Sequence, residues 1–374
     1  MSLRPSPVRV VVVDDSVVIR RVLTDMLASD PDIDVVATAA NGRIGLEKIR
    51  ATRPDIVILD IEMPVMDGLA TLPLLRAEFP QLPVVMFSTL TTRGGAATLD
   101  ALALGATDYL TKPESLGGRE QTVAAIRAEL VPKLKVLGRT RRSVRPVTTL
   151  RPATPRPAPA RPTATATARA RIDVVALAVS TGGPKALQEV VPNLPATFPV
   201  PIVLVQHMPP VFTGLLAERL DRSSKLRVVE ATDGMPVRAG TVYIAPGGHH
   251  MVVAKCRGGD VVTQLNDAPP ENSCRPAADP LFRSVVAAYG ANALGVVLTG
   301  MGADGCKGAR AFVDAGAEVV AQDEASSVVW GMPGAVVRAG LAAAEVPLEH
   351  VADELVTRVS RGRARPATAA GARS

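Results

Sequence analysis

The sequence predicts two α/β domains, each a doubly wound parallel sheet, joined by a disordered linker. Three observations predict it. Short runs rich in Val, Ile and Leu alternate with stretches of helical period, as strands buried on both faces alternate with crossover helices. These runs fall into two blocks, about residues 8–137 and 172–360. Between them, residues 139–171 hold nine arginines, six prolines, seven threonines and no acid. That stretch has no period of 2 or 3.6 and too little apolar surface to offset the entropy of ordering it. The expected divisions are therefore 1–137, a linker at 138–171, a second domain at 172–360 and a basic tail at 361–374.

In the first block, residues 8–13 form a continuous β-branched strand, followed by a helix over 17–27. A strand at 34–39 leads to a helix at 43–52, and a strand at 55–59 ends at Asp60. Another strand, 83–87, ends at Ser88. A helix at 94–104, a short strand at 108–110 and a helix at 120–137 complete five strands alternating with helices. In the second block, 172–179 is a buried strand ending at Ser180, followed by Thr-Gly-Gly-Pro and a helix near 185–191. Residues 200–206 form a second strand, directly followed by His207. Residues 293–298 form a third, followed by TGMGADG and a helix over 308–315.

Composition removes several function classes. Among 374 residues, 47% are apolar and 21% charged, which excludes a wholly disordered chain. Aromatics are 3%, too few for a base-stacking surface. The net charge is +6, but 139–171 and 361–374 contribute +13, which leaves −7 for the rest. The basicity thus belongs to a spacer and a tail, and nucleic acid is not an expected partner. Three cysteines without a C-x-x-C pair argue against a disulfide framework or structural zinc and suit a reducing cytoplasm. No run approaches a secretory signal or a membrane span, so no membrane insertion is expected.

Ligands of open α/β sheets bind at the carboxyl ends of the strands. In the first block that rule selects Asp14, Asp15, Asp60, Ser88 and the loop carrying Lys112. Three carboxylates so placed repel one another, and a hard divalent cation such as Mg²⁺ relieves this. An aspartate beside a lysine and a hydroxyl suits a phosphoryl acceptor. Single helix N-caps account for each acid separately, but not for acids and a lysine at several strand ends together.

The motifs VVVDDS (11–16), LDIEMPVMDG (59–68), FSTL (87–90) and GATDYLTKP (105–113) resemble the flavodoxin-like receiver domain of two-component response regulators. The resemblance implies phosphorylation of Asp60 by a histidine kinase. It also implies Mg²⁺ held by Asp14, Asp15, Asp60 and the Glu62 carbonyl, with Ser88 and Lys112 sensing the phosphoryl group. Tyr109 would be drawn inward on activation, and the Lys112–Pro113 bond would be cis.

In the second block, Ser180 sits on a strand-to-helix turn, where the following amides can receive an oxyanion. A phosphate-binding turn or an ordinary cap fits the same residues. A serine nucleophile needs a base. His207 shares its sheet edge, His249 and His250 follow YIAPGG between two strands, and His350 lies in a solvated terminal helix. His207 is the favoured base. Asp304, in the third strand's glycine-rich loop, is the acid that would orient it; capping of the next helix is its alternative role. These residues alone indicate an acyl-transfer hydrolase on a Rossmann-like sheet, with no substrate specified.

STGG (180–183), QHMPP (206–210), YIAPGGHHM (243–251), LTGMGADG (298–305) and QDEASSVVWGMPGAV (322–336) resemble the catalytic domain of the CheB family, the chemotaxis protein-glutamate methylesterases. The resemblance implies a monomer that hydrolyses glutamate methyl esters on methyl-accepting chemotaxis receptors and also deamidates receptor glutamines. Ser180, His207 and Asp304 would be catalytic, with backbone amides at Thr181 and Met301 as oxyanion donors and no metal there. An unphosphorylated receiver would cover the site, and phosphorylation would release it. Departures occur at Val179 and in NSCRPAADPLF (272–282). A receiver-controlled transcription factor would need a C-terminal helix-turn-helix, which the sequence lacks. An esterase of another signalling complex remains open.

Overall fold

The computed structural model describes residues 6–112, 120–143, 171–361 and 363. The chain forms two compact units, to Thr154 and from Pro155. The Lys112–Pro113 bond, most of the linker and most of the tail lie outside the described residues.

The first unit runs β1 (Val8–Val13), α1 (Val17–Ala28), β2 (Ile33–Ala39), α2 (Gly42–Thr52), β3 (Ile56–Asp60), α3 (Gly68–Glu78), β4 (Val84–Thr89), α4 (Thr92–Ala103), β5 (Asp108–Lys112) and α5 (Glu120–Ser143). Its parallel sheet has the order β2-β1-β3-β4-β5. The order reverses between β1 and β3, so a crevice opens beyond their carboxyl ends. Every residue of β3 is buried, which is why no period of two is visible there. Side chains of Ser16, Asn41, Asp67 and Thr91 accept from the first turns of α1 to α4 and fix where each helix starts.

Helix α5 continues past the expected end at residue 137. Leu130, Leu134 and Leu137 are buried on one stripe of it. Lys135 Nζ pairs with Asp30 (2.8 Å) and Asp32 (3.1 Å), and Arg139 Nη2 with Asp32 (3.3 Å). Basic residues that composition assigns to the linker thus extend a packed helix.

The second unit runs β6 (Val174–Val179), α6 (Gly183–Val190), β7 (Ile202–Gln206), α7 (Phe212–Ser223), β8 (Arg227–Glu230), β9 (Thr241–Ile244), β10 (His250–Lys255), β11 (Val261–Asn266), α8 (Ala278–Tyr289), β12 (Ala293–Val297), α9 (Cys306–Asp314), β13 (Glu318–Gln322), α10 (Met332–Arg338), β14 (Ala344–Val346) and α11 (Val351–Ser360). Seven strands form a parallel sheet of order β14-β13-β12-β6-β7-β9-β8, and β10 and β11 form a separate antiparallel ribbon. The three expected strands are the central three, β12, β6 and β7. Phe282 of α8 and Phe312 of α9 pack with ring centroids 5.2 Å apart in the core between these helices and the sheet. From β6 the chain moves outward to β7, and it later returns to β6's other side as β12. The switch point therefore lies at the carboxyl ends of β6 and β12, where Ser180 and Asp304 follow.

Candidate active site and phosphoacceptor site

In the first unit, the strand ends bring the expected residues together. Asp14, Asp15 and Asp60 each offer an oxygen within 4.8 Å of the others. Lys112 Nζ lies 2.7 Å from Asp60 Oδ2 and 2.9 Å from Asp14 Oδ2. Burial raises the Asp60 carboxyl to about 6; Lys112 opposes the shift and the Asp14 charge adds to it. Asp14 Oδ2 is buried and ion-paired, yet receives no aligned hydrogen bond. One ammonium against three carboxylates and an under-satisfied buried oxygen suit a hard divalent cation. The Glu62 carboxylate turns away to Arg93, 3.7 Å distant, leaving its carbonyl as the group it can offer.

A cavity of about 250 Å³ opens beside Asp60, lined among others by Asp15, Glu62, Ser88, Thr89 and Lys112. The Ser88 hydroxyl donates to the Gly94 carbonyl at 3.1 Å. The Tyr109 side chain is buried, and desolvation holds its phenol well above the ordinary value. Lys133 covers the ring at 5.7 Å and is anchored by Asp108, Glu129 and the Tyr109 carbonyl.

In the second unit, Ser180 follows β6 directly. Its amide donates to Thr299 O (3.0 Å), and its carbonyl accepts from Gln206 Nε2 (3.1 Å). Gly182 adopts φ +78°, turning the chain sharply into α6, and the Gly183 amide donates back to the Ser180 carbonyl at 2.7 Å. Gly300 lies against the serine: a Cβ there would sit 2.8 Å from Ser180 Cβ. The Met301 amide next to it donates to no group among the described residues.

His207 follows β7. Its Nε2 lies 2.7 Å from Asp304 Oδ2, and its Nδ1 lies 3.5 Å from Cys274 Sγ. Burial pulls the imidazole toward its neutral form, but the bonds to Asp304 and Cys274 outweigh burial and push it up to about 9. Ser180 Oγ makes no hydrogen bond to the ring among the described residues. With Nε2 held by Asp304, Nδ1 is the ring nitrogen left for proton exchange.

Asp304 is not a cap for α9. Its Oδ2 also accepts from the Ala278 amide (2.6 Å), and its Oδ1 accepts from the Asp279 and Gly305 amides (3.1 and 3.0 Å). It therefore sits on the N-terminus of α8. Burial raises its carboxyl, but His207 and these amides outweigh it and hold it below the ordinary value. Asp279 Oδ1 in turn accepts from the Gly308 amide of α9 (2.7 Å). Asn272 Nδ2 donates to both acids, at 2.8 Å to Asp304 and 2.9 Å to Asp279.

The other histidines serve elsewhere. His250 is buried; its Nδ1 accepts from the Ala277 amide and its Nε2 donates to Pro269 O. His249 is exposed beside Asp267 at 2.6 Å, and His350 is exposed. Sequence reasoning missed Asn272, Cys274 and Asp279. The Asn-Ser pair before Cys274 signals a turn, but nothing local to it names His207 as the group it meets.

Residues 10–126 match the response regulator receiver domain model, and residues 175–355 match the CheB methylesterase model. A Nocardioides protein named protein-glutamate methylesterase/protein-glutamine glutaminase is 49% identical over 356 residues, covering 95% of this chain and 96% of its own. A Trichodesmium erythraeum protein of the same name is 47% identical, covering 94% and 99%. The crystal structure of the Thermotoga maritima CheB methylesterase catalytic domain is 42% identical; it covers 50% of this chain and 98% of that one, with a TM-score of 0.49. Near-half identity along almost the whole length of both partners, with the same two modules in the same order, places this chain in the family of CheB protein-glutamate methylesterases/protein-glutamine glutaminases.

Proposed function

We propose that the chain removes methyl groups from glutamate γ-methyl esters of methyl-accepting chemotaxis receptors and deamidates receptor glutamines, under control of phosphorylation at Asp60. The observation that carries the reading is the meeting of His207 and Asp304 beside Ser180 at one topological switch point.

Ser180 Oγ attacks the ester carbonyl as His207 Nδ1 takes its proton. Asp304 holds Nε2–H and stabilises the imidazolium. The amides of Thr181 and Met301 donate to the oxyanion. His207 returns the proton to the departing methoxide, and methanol leaves. Water, deprotonated by the same nitrogen, then releases the glutamate carboxylate from Ser180. A carboxamide follows the same route and releases ammonia.

A base held up to about 9 is mostly protonated at neutral pH. The value of kcat/KM is therefore expected to rise about tenfold per pH unit through neutrality and to level off near that midpoint. A profile flat between neutrality and the midpoint would contradict the assignment.

At the receiver site, Asp14, Asp15, Asp60 and the Glu62 carbonyl would hold Mg²⁺, which neutralises phosphoryl charge when bound. Asp60 carries the phosphoryl group from a histidine kinase, while Lys112 and Ser88 bind its oxygens. We read the enzyme as a cytoplasmic monomer; among the described residues no helix is long and apolar enough to cross a membrane. Reversing a 1:99 balance between restrained and active states takes roughly 5.5 kcal/mol, part of which one phosphoryl group supplies. A small-molecule phosphodonor with Mg²⁺ is expected to raise methanol release from methylated receptor membranes, and Asp60→Asn to remove that rise. The fragment 172–374 is expected to outpace the unphosphorylated full chain. Equal rates throughout would leave the receiver without control of the esterase.

A further inference from the structure

The turn from Glu271 to Cys274 meets both members of the His207–Asp304 pair, and the reaction described above gives it no role. Glu271 and Cys274 exchange backbone hydrogen bonds of 3.2 and 2.9 Å. Asn272 and Ser273 between them have φ of +52° and +63°, the pattern of a type I′ turn. Asparagine tolerates this region; serine enters it against its steric preference. A strained turn of this kind persists where its surroundings over-determine it. Here it delivers Asn272 to Asp304 and Cys274 to His207.

Cys274 Sγ faces Nδ1 at 3.5 Å, the ring nitrogen that must accept the Ser180 proton. We propose that Cys274 is a positioning residue for the base, holding the imidazole through Nδ1 in the resting enzyme and yielding that nitrogen when bound substrate brings Ser180 into line. A thiol suits this task. Its hydrogen bonds are weak, so it orients the ring and is displaced at little cost. A carboxylate in the same place would hold the nitrogen too firmly.

The groups facing the imidazole are Asp304, from the loop after β12, and Cys274, from the turn. Asp279 and Arg283 of α8 lie behind Asp304. Burial favours the neutral ring, while Asp304 and Cys274 both keep it protonated. Removing Cys274 leaves Asp304 alone against burial. Cys256 is exposed and Cys306 packs against Ala335 O, so neither takes over this role.

The kinetic half of the inference rests on the esterase reading, whereas the titration half needs no substrate. The experiment follows the His207 imidazole by ¹⁵N NMR in the full chain, assigned by its loss in His207→Gln. In Cys274→Ala the titration midpoint is expected to fall by on the order of one unit. In Cys274→Ser it is expected to lie between alanine and wild type, since a hydroxyl keeps a hydrogen-bond partner for Nδ1 but its shorter bond to Cβ sets it farther from the ring. The acid limb of kcat/KM for methanol release should move with it while KM stays unchanged. Should the alanine variant fail to fold, the serine variant is read alone, and a midpoint equal to wild type overturns the proposal. Unchanged midpoints in both variants do the same. Turnover lost in Cys274→Ala but kept in Ser180→Ala would make Cys274 the nucleophile and also overturn it. A shifted midpoint with no methanol release from any form, wild type included, would uphold the positioning role and remove the esterase reading instead.

Discussion

Ser180→Ala is expected to lower kcat for ester hydrolysis on the order of 10⁴- to 10⁶-fold while leaving the thermal midpoint close to wild type. The hydroxyl makes no hydrogen bond among the described residues, and what anchors residue 180 is backbone: its amide to Thr299 O and its carbonyl to Gln206. Alanine keeps both. His207→Ala should cost nearly as much in rate, because nucleophile and base act as a unit. Paired replacement of His249 and His250 should spare the chemistry. Its effect should fall on stability, since His250 is buried between Pro269 O and the Ala277 amide. A dead double variant beside an active His207→Ala would reverse the base assignment. The comparison is methanol release at matched folded concentration, with unfolding curves for each variant.

Asp304→Asn is expected to lose on the order of 10³- to 10⁴-fold in kcat and, unlike Ser180→Ala, to destabilise the second unit. The carboxylate accepts from five donors: His207 Nε2, Asn272 Nδ2 and the amides of Ala278, Asp279 and Gly305. An amide has one acceptor oxygen, so whichever way it turns its NH₂ faces donors. If the NH₂ faces the ring, Nε2 becomes an acceptor, the proton moves to Nδ1 and the base is blocked. If it faces α8, buried amides lose their partner at about 1–3 kcal/mol. Rate and stability should therefore fall together, checked by kcat well below the unfolding transition and by denaturant midpoints. Loss of rate with unchanged stability would mean that Asp304 does not cap α8 as the structure places it.

Strand ends were the most legible feature of this sequence. A run such as Val8–Val13 followed by two aspartates, or Val174–Val179 followed by Ser-Thr-Gly-Gly, announces both a buried parallel strand and the polar group at its carboxyl end. Because function in open sheets gathers at that edge, Asp60, Ser88, Ser180, His207 and Asp304 could be named before any contact was known. Short peripheral strands were harder. Strand β14 has three residues, and its register is set by β13 rather than by its own pattern. The end of α5 was obscured because arginine-rich composition looks like linker until Asp30 and Asp32 appear opposite Lys135 and Arg139. The Asn272–Cys274 turn was the least legible. Cys274 meets His207 across 67 positions and Asn272 meets Asp304 across 32, and turn propensity carries no information about such partners. Tyr109 belongs with it: the ammonium over its ring comes from Lys133, one helix later.

The central claim is that Ser180, with His207 and Asp304, hydrolyses receptor glutamate methyl esters. The most direct measurement is methanol release from methylated receptor membranes by the wild-type full chain, Mg²⁺ and a phosphodonor present, beside the folded Ser180→Ala chain. Steady release by the wild type and none above background from the variant is the expected result. Equal release by both, or none from a folded, phosphorylated wild type, would contradict it.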